Sequence, residues 1–211
     1  MTWPYYFNPI LAQGEGVKRS GSGGSLASGS TDIPVASAST YFSQNDPIFV
    51  TDGSGGNVSY CGLAVSVDAD SVTVTLPTRV NYTSHYVIKP TAWVILECDY
   101  KAMEIDRDLG VENFEASGGV IYRTQVKDAT KRWLISWQDL EMSSWGDVRD
   151  FIETTLNYGL EDFTAAFWDD VEQAQVVVCV RLAQRGWRLQ TKDSQCGDLE
   201  LELFYVDSNY E

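Results

Sequence analysis

The sequence predicts a mainly β protein, with antiparallel β-sandwich or barrel units and one α-helix packed on the C-terminal sheet. Strand patterns are short and alternate in polarity, as where Val72, Val74 and Leu76 share one face of an extended segment. Glycine-rich turns such as residues 52–56 separate these patterns. A single amphipathic stripe, at about residues 144–157, has helical spacing. Short strands at close intervals with one helix are typical of mainly β folds.

Changes in composition divide the 211 residues into three segments. Residues 1–31 are predicted to be a flexible N-terminal arm followed by a Gly/Ser-rich linker, because the 14–31 stretch has the composition of a flexible tether. Residues 32–95 are predicted to be a small all-β module. Residues 96–211 are predicted to be an antiparallel β-sheet domain that carries the helix.

The N-terminal arm is unusually aromatic. Trp3, Tyr5, Tyr6 and Phe7 lie beside prolines and have no obvious partner within the chain. Aromatic side chains of this kind are enriched at protein interfaces. We therefore expect these four residues to form an interface. The alternative is a disordered terminus whose aromatic content has no function.

The second half of the chain supplies most of the predicted helix and core. The stretch 101–119 is polar and predicted to be a loop or crossover, and residues 120–126 and 132–140 are predicted to form a hairpin. Ser144 and Asp147 resemble a capping box that would start the helix, and Asn157 and Gly159 would end it. The expected structural core comprises Trp133, Ile135, Trp137, Phe151, Ile152, Phe167 and Val178.

The charge of the chain argues against a nucleic-acid partner. Its 15 basic residues are scattered among 30 acidic ones, giving a formal net charge of −15. Phosphate binding depends on clustered lysine and arginine, so we expect no direct nucleic-acid binding. No apolar stretch of roughly 18 residues is present, so we expect no membrane span. No secretory leader is recognisable either, so we expect synthesis in the cytoplasm.

Residues that could perform catalysis are sparse. His85 is the only histidine, and any Ser–His–Asp or Cys–His mechanism would have to use it. The four cysteines form no metal-binding pattern, and Asp68 and Asp70 give only an incomplete calcium-loop pattern. We therefore expect no enzymatic activity, no catalytic residue, no metal site and no cofactor.

The order of elements between residues 118 and 208 carries a resemblance. The basic pair Lys131-Arg132 opens an aromatic strand, and a helix that ends at Gly159 follows it. After these come, in order, a short aromatic strand at 163–168, a valine-rich strand at 176–182, the basic aromatic segment 185–188 and an acidic alternating strand at 199–206. This order resembles the distal tail and minor tail proteins of long-tailed bacteriophages.

That resemblance implies a structural virion protein of the tail tip or baseplate hub. The expected partners are further copies of the chain, in a ring of expected six-fold order that joins the tail tube to the tip, and tail proteins such as those of the tube and hub. No functional residue transfers, because the family acts through interfaces. Residues 32–95 have no counterpart in the small minor tail proteins. Two alternatives stay open: a head–tail connector or neck protein, and a β-module that binds a glycan or a receptor.

Overall fold

The computed structural model describes residues 8–54, 57–96, 100–108, 111–115, 121–125, 130–169, 174–191 and 196–206. The strands are β1 Ile10–Ser20, β2 Asp32–Pro34, β3 Pro47–Thr51, β4 Val58–Val67, β5 Ser71–Val74, β6 Tyr86–Ile95, β7 Tyr100–Asp108, β8 Val111–Glu115, β9 Ile121–Gln125, β10 Thr130–Glu141, β11 Phe163–Asp169, β12 Ala174–Thr191 and β13 Cys196–Tyr205. The helices are α1 Ala38–Tyr41 and α2 Met142–Asp150, and α2 continues into a π-helical segment, Phe151–Thr155.

The predicted mainly β fold class is confirmed. Eleven strands form one sheet in the order β2-β5-β4-β3-β6-β1-β11-β12-β13-β10-β7, and β8 and β9 form a separate ribbon. Every described strand pair is antiparallel. The sheet runs through both predicted β segments, and their division into separate modules stays a prediction.

The prediction of a Gly/Ser-rich linker over residues 14–31 is wrong, because β1 runs to Ser20 and backbone hydrogen bonds hold Gly21, Leu26 and Gly29 beyond it. Residues 10–20 form β1, which lies at the centre of the sheet between β6 and β11. A bulge between Glu15 and Val17 brings the two backbones close together. A Cβ atom on Gly16 would lie 3.0 Å from the carbonyl oxygen of Pro90. Glycine is therefore required here for close backbone approach, so its presence did not indicate a tether.

Two further predictions from the second half are also wrong. The 101–119 stretch, expected to be a loop, contains β7 and β8. The expected hairpin between residues 120–126 and 132–140 does not form, because β9 pairs with β8, and β10 pairs with β7 and β13. The short turns that suggested these pairings did not determine them. Neighbours in the finished sheet can be distant along the chain.

The sheet buries side chains on both faces. One face of its C-terminal half carries the largest apolar cluster, which includes Trp133, Ile135, Phe167 and the helical segment. A second cluster, around Ile33 and Tyr82, lies under the first half of the chain. A third, smaller cluster comprises Ile10, Ala12, Phe49, Tyr60, Ile88 and Ala166 and lies between the halves.

One glutamine joins the two halves across this third cluster. Gln175 of β12 donates from Nε2 to the carbonyl oxygen of Tyr60 at 2.7 Å and accepts from the Tyr60 N–H through Oε1 at 3.3 Å. Both residues are buried. Because β4 and β12 are not neighbours in the strand order, this contact shows that the sheet curls back on itself. The side-chain amide of Gln175 bonds the backbone N–H and C=O that a neighbouring strand would otherwise bond.

The predicted helix forms, although its first residues differ from expectation. It begins at Met142 with Glu141 as the N-cap and no side-chain capping bond, so the Ser144–Asp147 capping box is wrong. Its buried stripe is Val148, Phe151, Ile152 and Leu156, which packs on the C-terminal cluster. The expected stop is present, because three consecutive residues, Asn157, Tyr158 and Gly159, have positive φ angles.

Replacing Gly159 with alanine is expected to lower the free energy of unfolding by more than about 1 kcal/mol. Its φ of +81° strains any other residue, and a Cβ atom would lie 2.9 Å from Cδ1 of Leu182. The matched control is Gly146→Ala inside α2, where no heavy atom lies within 4 Å of the added carbon. That change should stabilise by roughly 0.5–1 kcal/mol, because alanine favours helix. Urea unfolding followed by circular dichroism measures the change in unfolding free energy for both variants. If both variants were stabilised, or both destabilised, the prediction would be contradicted.

A network of hydrogen bonds on Asp52 fixes the chain after β3. Its carboxylate accepts from the backbone N–H of Ser54 at 2.9 Å and from the Ser54 hydroxyl at 2.7 Å. The Asn57 side-chain amide donates to the other carboxylate oxygen at 2.8 Å. The hydroxyl of Ser54 is the largest of the causes that lower the pKa of Asp52, and burial opposes them.

The Asp52 network should make stability depend on pH. Because the pKa of Asp52 is lower in the folded chain than its ordinary value of 3.8, its stabilisation is present above that value. It is lost as the pH falls through the lower folded-state pKa. Asp52→Ala should therefore be less stable than the parent at neutral pH, and the difference should shrink below pH 3.8. Denaturant unfolding of the parent and of Asp52→Ala across this pH range tests the prediction. A stability difference that does not change with pH would contradict it.

A candidate interaction groove beside the helix

A groove of about 590 Å³ lies between the second half of β6 and the helical segment. Its strand wall is Ala92–Ile95, and its helix wall comprises Asp147, Asp150, Phe151, Thr154 and Thr155. The groove exists because β6 and the helical segment are held side by side on the C-terminal cluster. Val94 and Phe151 are both buried members of this cluster.

One edge of β6 is unpaired along the groove. β3 pairs with β6 only at residues 86–88, and β1 pairs with the opposite edge as far as Ile95. Among the described residues, nothing pairs with the β3-side edge of residues 91–95. An unpaired strand edge presents backbone N–H and C=O groups that can receive another strand.

Aromatic and apolar surface accompanies this edge. Trp93 is 37% exposed and lies on the face of β6 opposite to Val94, which packs with Phe151 in the C-terminal cluster. Phe151 forms the floor and is nearly buried, with its ring centroid 6.1 Å from that of Phe163 in an edge-to-face arrangement. The groove therefore combines backbone hydrogen-bonding groups with a surface on which aromatic side chains can pack.

The helix side of the groove is acidic. Asp150 and Asp147 are exposed there, because the opposite side of the helix carries the buried stripe. Asp150 accepts hydrogen bonds from Nε and Nη2 of Arg149 at 3.1 and 2.8 Å. The bond to Asp150 is the largest cause that raises the pKa of Arg149, which remains cationic. Arg149 also lies over the ring of Trp145, 5.0 Å from its centroid.

A second exposed apolar feature follows the helix. Tyr158 is 77% exposed and Leu160 is 70% exposed. Both residues lie in or directly after the turn formed by the three positive φ angles at 157–159. Large apolar side chains projecting into solvent from a defined turn are typical of contact surfaces.

The structure places the sequence-predicted residues in two groups. The interface residues Trp3, Tyr5, Tyr6 and Phe7, and the side chain of Trp137, lie outside the described part. The other expected core residues contribute to the C-terminal cluster, with Val178 only partly buried: Trp133, Ile135, Phe151, Ile152, Phe167 and Val178.

The residues considered for chemistry have structural contacts. His85 is buried against Gly21 and donates from Nε2 to the carbonyl oxygen of Pro34 at 2.9 Å. Asp70 accepts from the N–H of Ser37 at 3.2 Å. Within the described ranges, no three His, Cys, Asp or Glu side chains lie close enough to hold a metal ion. No helix of this part of the chain is long and apolar enough to cross a membrane.

Sequence reasoning missed the groove. Trp93 lies in an apolar run of the sequence, and the free edge beside it depends on where β3 stops pairing. No local pattern carries that information. Pro90, which cannot donate a backbone hydrogen bond, was the only available signal that this strand has an edge.

No protein-family model matches the chain, and no curated protein matches it.

Proposed function

We propose that the chain is a structural subunit of a phage tail, a distal or minor tail protein whose copies form a ring between the tail tube and the tip. The order of elements supports the proposal. From β10 the chain runs strand, helix, strand, strand, strand, the order on which the resemblance to tail proteins rests. The helix packs on the antiparallel sheet formed by the same strands.

The observation that carries the assembly function is that no described residue pairs with one edge of β6, next to the exposed Trp93. Natural proteins usually protect or cover such edges, because they pair with other chains. The edge lies next to an apolar groove, and the apolar turn at Tyr158 and Leu160 gives a second contact surface. A subunit with two separate contact surfaces can form head-to-tail contacts, and such contacts close into a ring when the rotation between copies allows it.

The mass of the full-length chain in solution tests the proposal. We expect native mass spectrometry and light scattering to show a discrete closed oligomer, with six copies as the expected number. A chain that stays monomeric at every accessible concentration, and that does not join isolated tail tubes, would contradict it. Joining the portal end of the particle instead would favour the head–tail connector.

A glycan- or receptor-binding module is the second candidate. Trp93 is exposed on β6, and an exposed aromatic ring also suits stacking on a sugar. A glycan array with the parent chain and Trp93→Ala separates the two functions. Saturable binding by a monomer, lost in the variant, would favour the glycan module.

A further inference from the structure

The free edge of β6 presents a defined set of backbone groups. The N–H of Leu96 donates to the carbonyl oxygen of Pro9 at 2.9 Å, so the backbone at this position points toward β1. In an antiparallel pair, the backbone groups of successive residues point to opposite edges of the strand. The N–H and C=O groups of Thr91, Trp93 and Ile95 therefore point away from β1, toward the edge with which no described residue pairs.

The groove runs along this edge. Its strand wall consists of four consecutive residues, Ala92–Ile95, whose side chains alternate between the two faces of the sheet. The side chain of Val94 packs with Phe151 on the helix face, and that of Trp93 lies on the opposite face. Four consecutive residues can line one groove only where it follows the edge of their strand. A segment that lies in the groove therefore meets the backbone of β6 directly.

The wall opposite the edge is acidic. Asp147 and Asp150 line it, and both are exposed. The helical segment 142–155 carries three carboxylates and one cation, Arg149, which bonds to Asp150 and neutralises part of this charge. Residues 91–95 of β6 are uncharged. Because the helix wall keeps a negative charge, it attracts cationic side chains and repels anionic ones.

A strand added at the edge would have a different environment on each of its faces. It would lie about 4.8 Å from β6, with alternate side chains toward the helix wall, where Asp147, Asp150 and Thr154 lie. The remaining side chains would lie beside the exposed ring of Trp93, which offers an apolar surface. Lysine or arginine in alternation with apolar residues is the sequence pattern that fits both faces.

The chain itself does not supply this pattern. No two of its 15 basic residues lie two positions apart in the sequence. Two copies also carry the same formal net charge of −15, which disfavours contact at an acidic surface. The segment that fits the groove therefore belongs to a different protein.

We propose that the free edge of β6 receives an extended segment of a second protein, in which lysine or arginine alternates with apolar residues. The segment adds as a strand, with its cations toward the helix wall and its apolar side chains beside Trp93. Strand addition gives affinity through backbone hydrogen bonds and specificity through the alternate side chains. The inference rests on the proposed function for the origin of that protein, another component of the tail. The turn at Tyr158 and Leu160 stays available for contacts between copies.

Peptide binding to the ¹⁵N-labelled full-length chain tests the inference. The probe is the peptide acetyl-TKVKVKT-amide, and its controls are acetyl-TEVEVET-amide, of opposite charge, and acetyl-TKKKVVT-amide, of the same composition without alternation. We expect the probe to cause saturable shifts in the backbone amide resonances of Thr91, Trp93 and Ile95 in nuclear magnetic resonance spectra. The acidic peptide should not bind. The peptide without alternation should bind roughly tenfold more weakly, the change that about 1.4 kcal/mol of lost affinity produces.

Matched charge variants test the acidic wall. The double variant Asp147→Asn/Asp150→Asn should weaken binding of the probe by roughly threefold or more, because two exposed ion pairs are lost. The control Asp32→Asn/Asp68→Asn makes the same change in charge at exposed positions of the first half and should leave binding unchanged. Circular dichroism shows whether both variants are folded. If the first is not, raising the salt concentration from about 0.05 M to 0.5 M with the parent chain replaces it and should weaken binding.

N-methylation of the probe tests the strand contact. Methyl groups on the valine nitrogens or on the lysine nitrogens remove N–H donors from one edge of the added strand only. We expect one of the two methylated peptides to lose binding and the other to keep it. Equal effects of the two methylations would overturn strand addition.

Four further results would overturn the inference: slow hydrogen exchange of the Thr91, Trp93 and Ile95 amides in the free chain, shifts confined to other residues, equal binding of the basic and acidic peptides, or equal effects of the two double variants. Native mass spectrometry separates this inference from the proposed ring. An oligomer that does not bind the probe, or that the probe dissociates, counts against the inference alone. A monomer that binds the probe at the edge counts against the ring alone.

Discussion

Replacing Trp133 with alanine is expected to lower the free energy of unfolding by about 3–5 kcal/mol, the range for a buried aromatic residue. Trp133 is only 1% exposed. Its ring lies 5.6 Å from that of Phe167 and 6.3 Å from that of Tyr205, both nearly edge-to-face. The cavity left behind would border β10, β11 and β13, which support the helical segment. Denaturant unfolding followed by tryptophan-independent far-ultraviolet circular dichroism measures the loss.

Tyr158→Ala is the matched control for this prediction. It removes an aromatic side chain of similar class that is 77% exposed. Surface substitutions of this kind usually change stability by no more than about 0.5 kcal/mol. Equal losses in the two variants would show that Trp133 does not occupy a packed core.

Replacing Gln175 with leucine is expected to cost roughly 1–3 kcal/mol, although leucine is the more hydrophobic residue. The change leaves the buried N–H and C=O of Tyr60 without the amide that bonds them at 3.3 and 2.7 Å. Unpaired buried backbone groups carry their full desolvation cost. The amide proton of Tyr60 should also exchange faster with solvent, which nuclear magnetic resonance measures directly.

Gln190→Leu provides the control for Gln175. It makes the same chemical change on the same strand, β12, at an exposed position. We expect little change in unfolding free energy and no change at Tyr60. A Gln175→Leu variant as stable as Gln190→Leu would mean that the curled sheet does not depend on this contact.

The sequence was most informative where structure depends on local spacing. The stripe of Val148, Phe151, Ile152 and Leu156 predicted a helix, and the positive φ angles at Asn157 and Gly159 end it as expected. Alternation likewise predicted that Val72 and Val74 share one face of a strand, and both are buried in β5. In each case the residues that determine the helix or strand lie close together in the sequence.

The sequence was least informative where structure depends on distant partners. The glycines of β1 are typical of a linker, but β1 is held by hydrogen bonds to β6 and β11, which lie far along the chain. The groove was missed for the same reason, since it depends on β3 ceasing to pair at Ile88. Pairing between strands is a tertiary property, and composition within one segment does not specify it.

The central position of β1 has a consequence for how the chain acquires its structure. Ile10 lies opposite Ala166, so β1 gains its second partner strand only after the whole segment between these two residues has been synthesised. Contacts between segments so far apart must close large loops first, and proteins dominated by such contacts fold slowly. During that interval the N-terminal strand is available to other molecules as well as to its own sheet. A slow refolding phase is therefore expected to be a property of this topology.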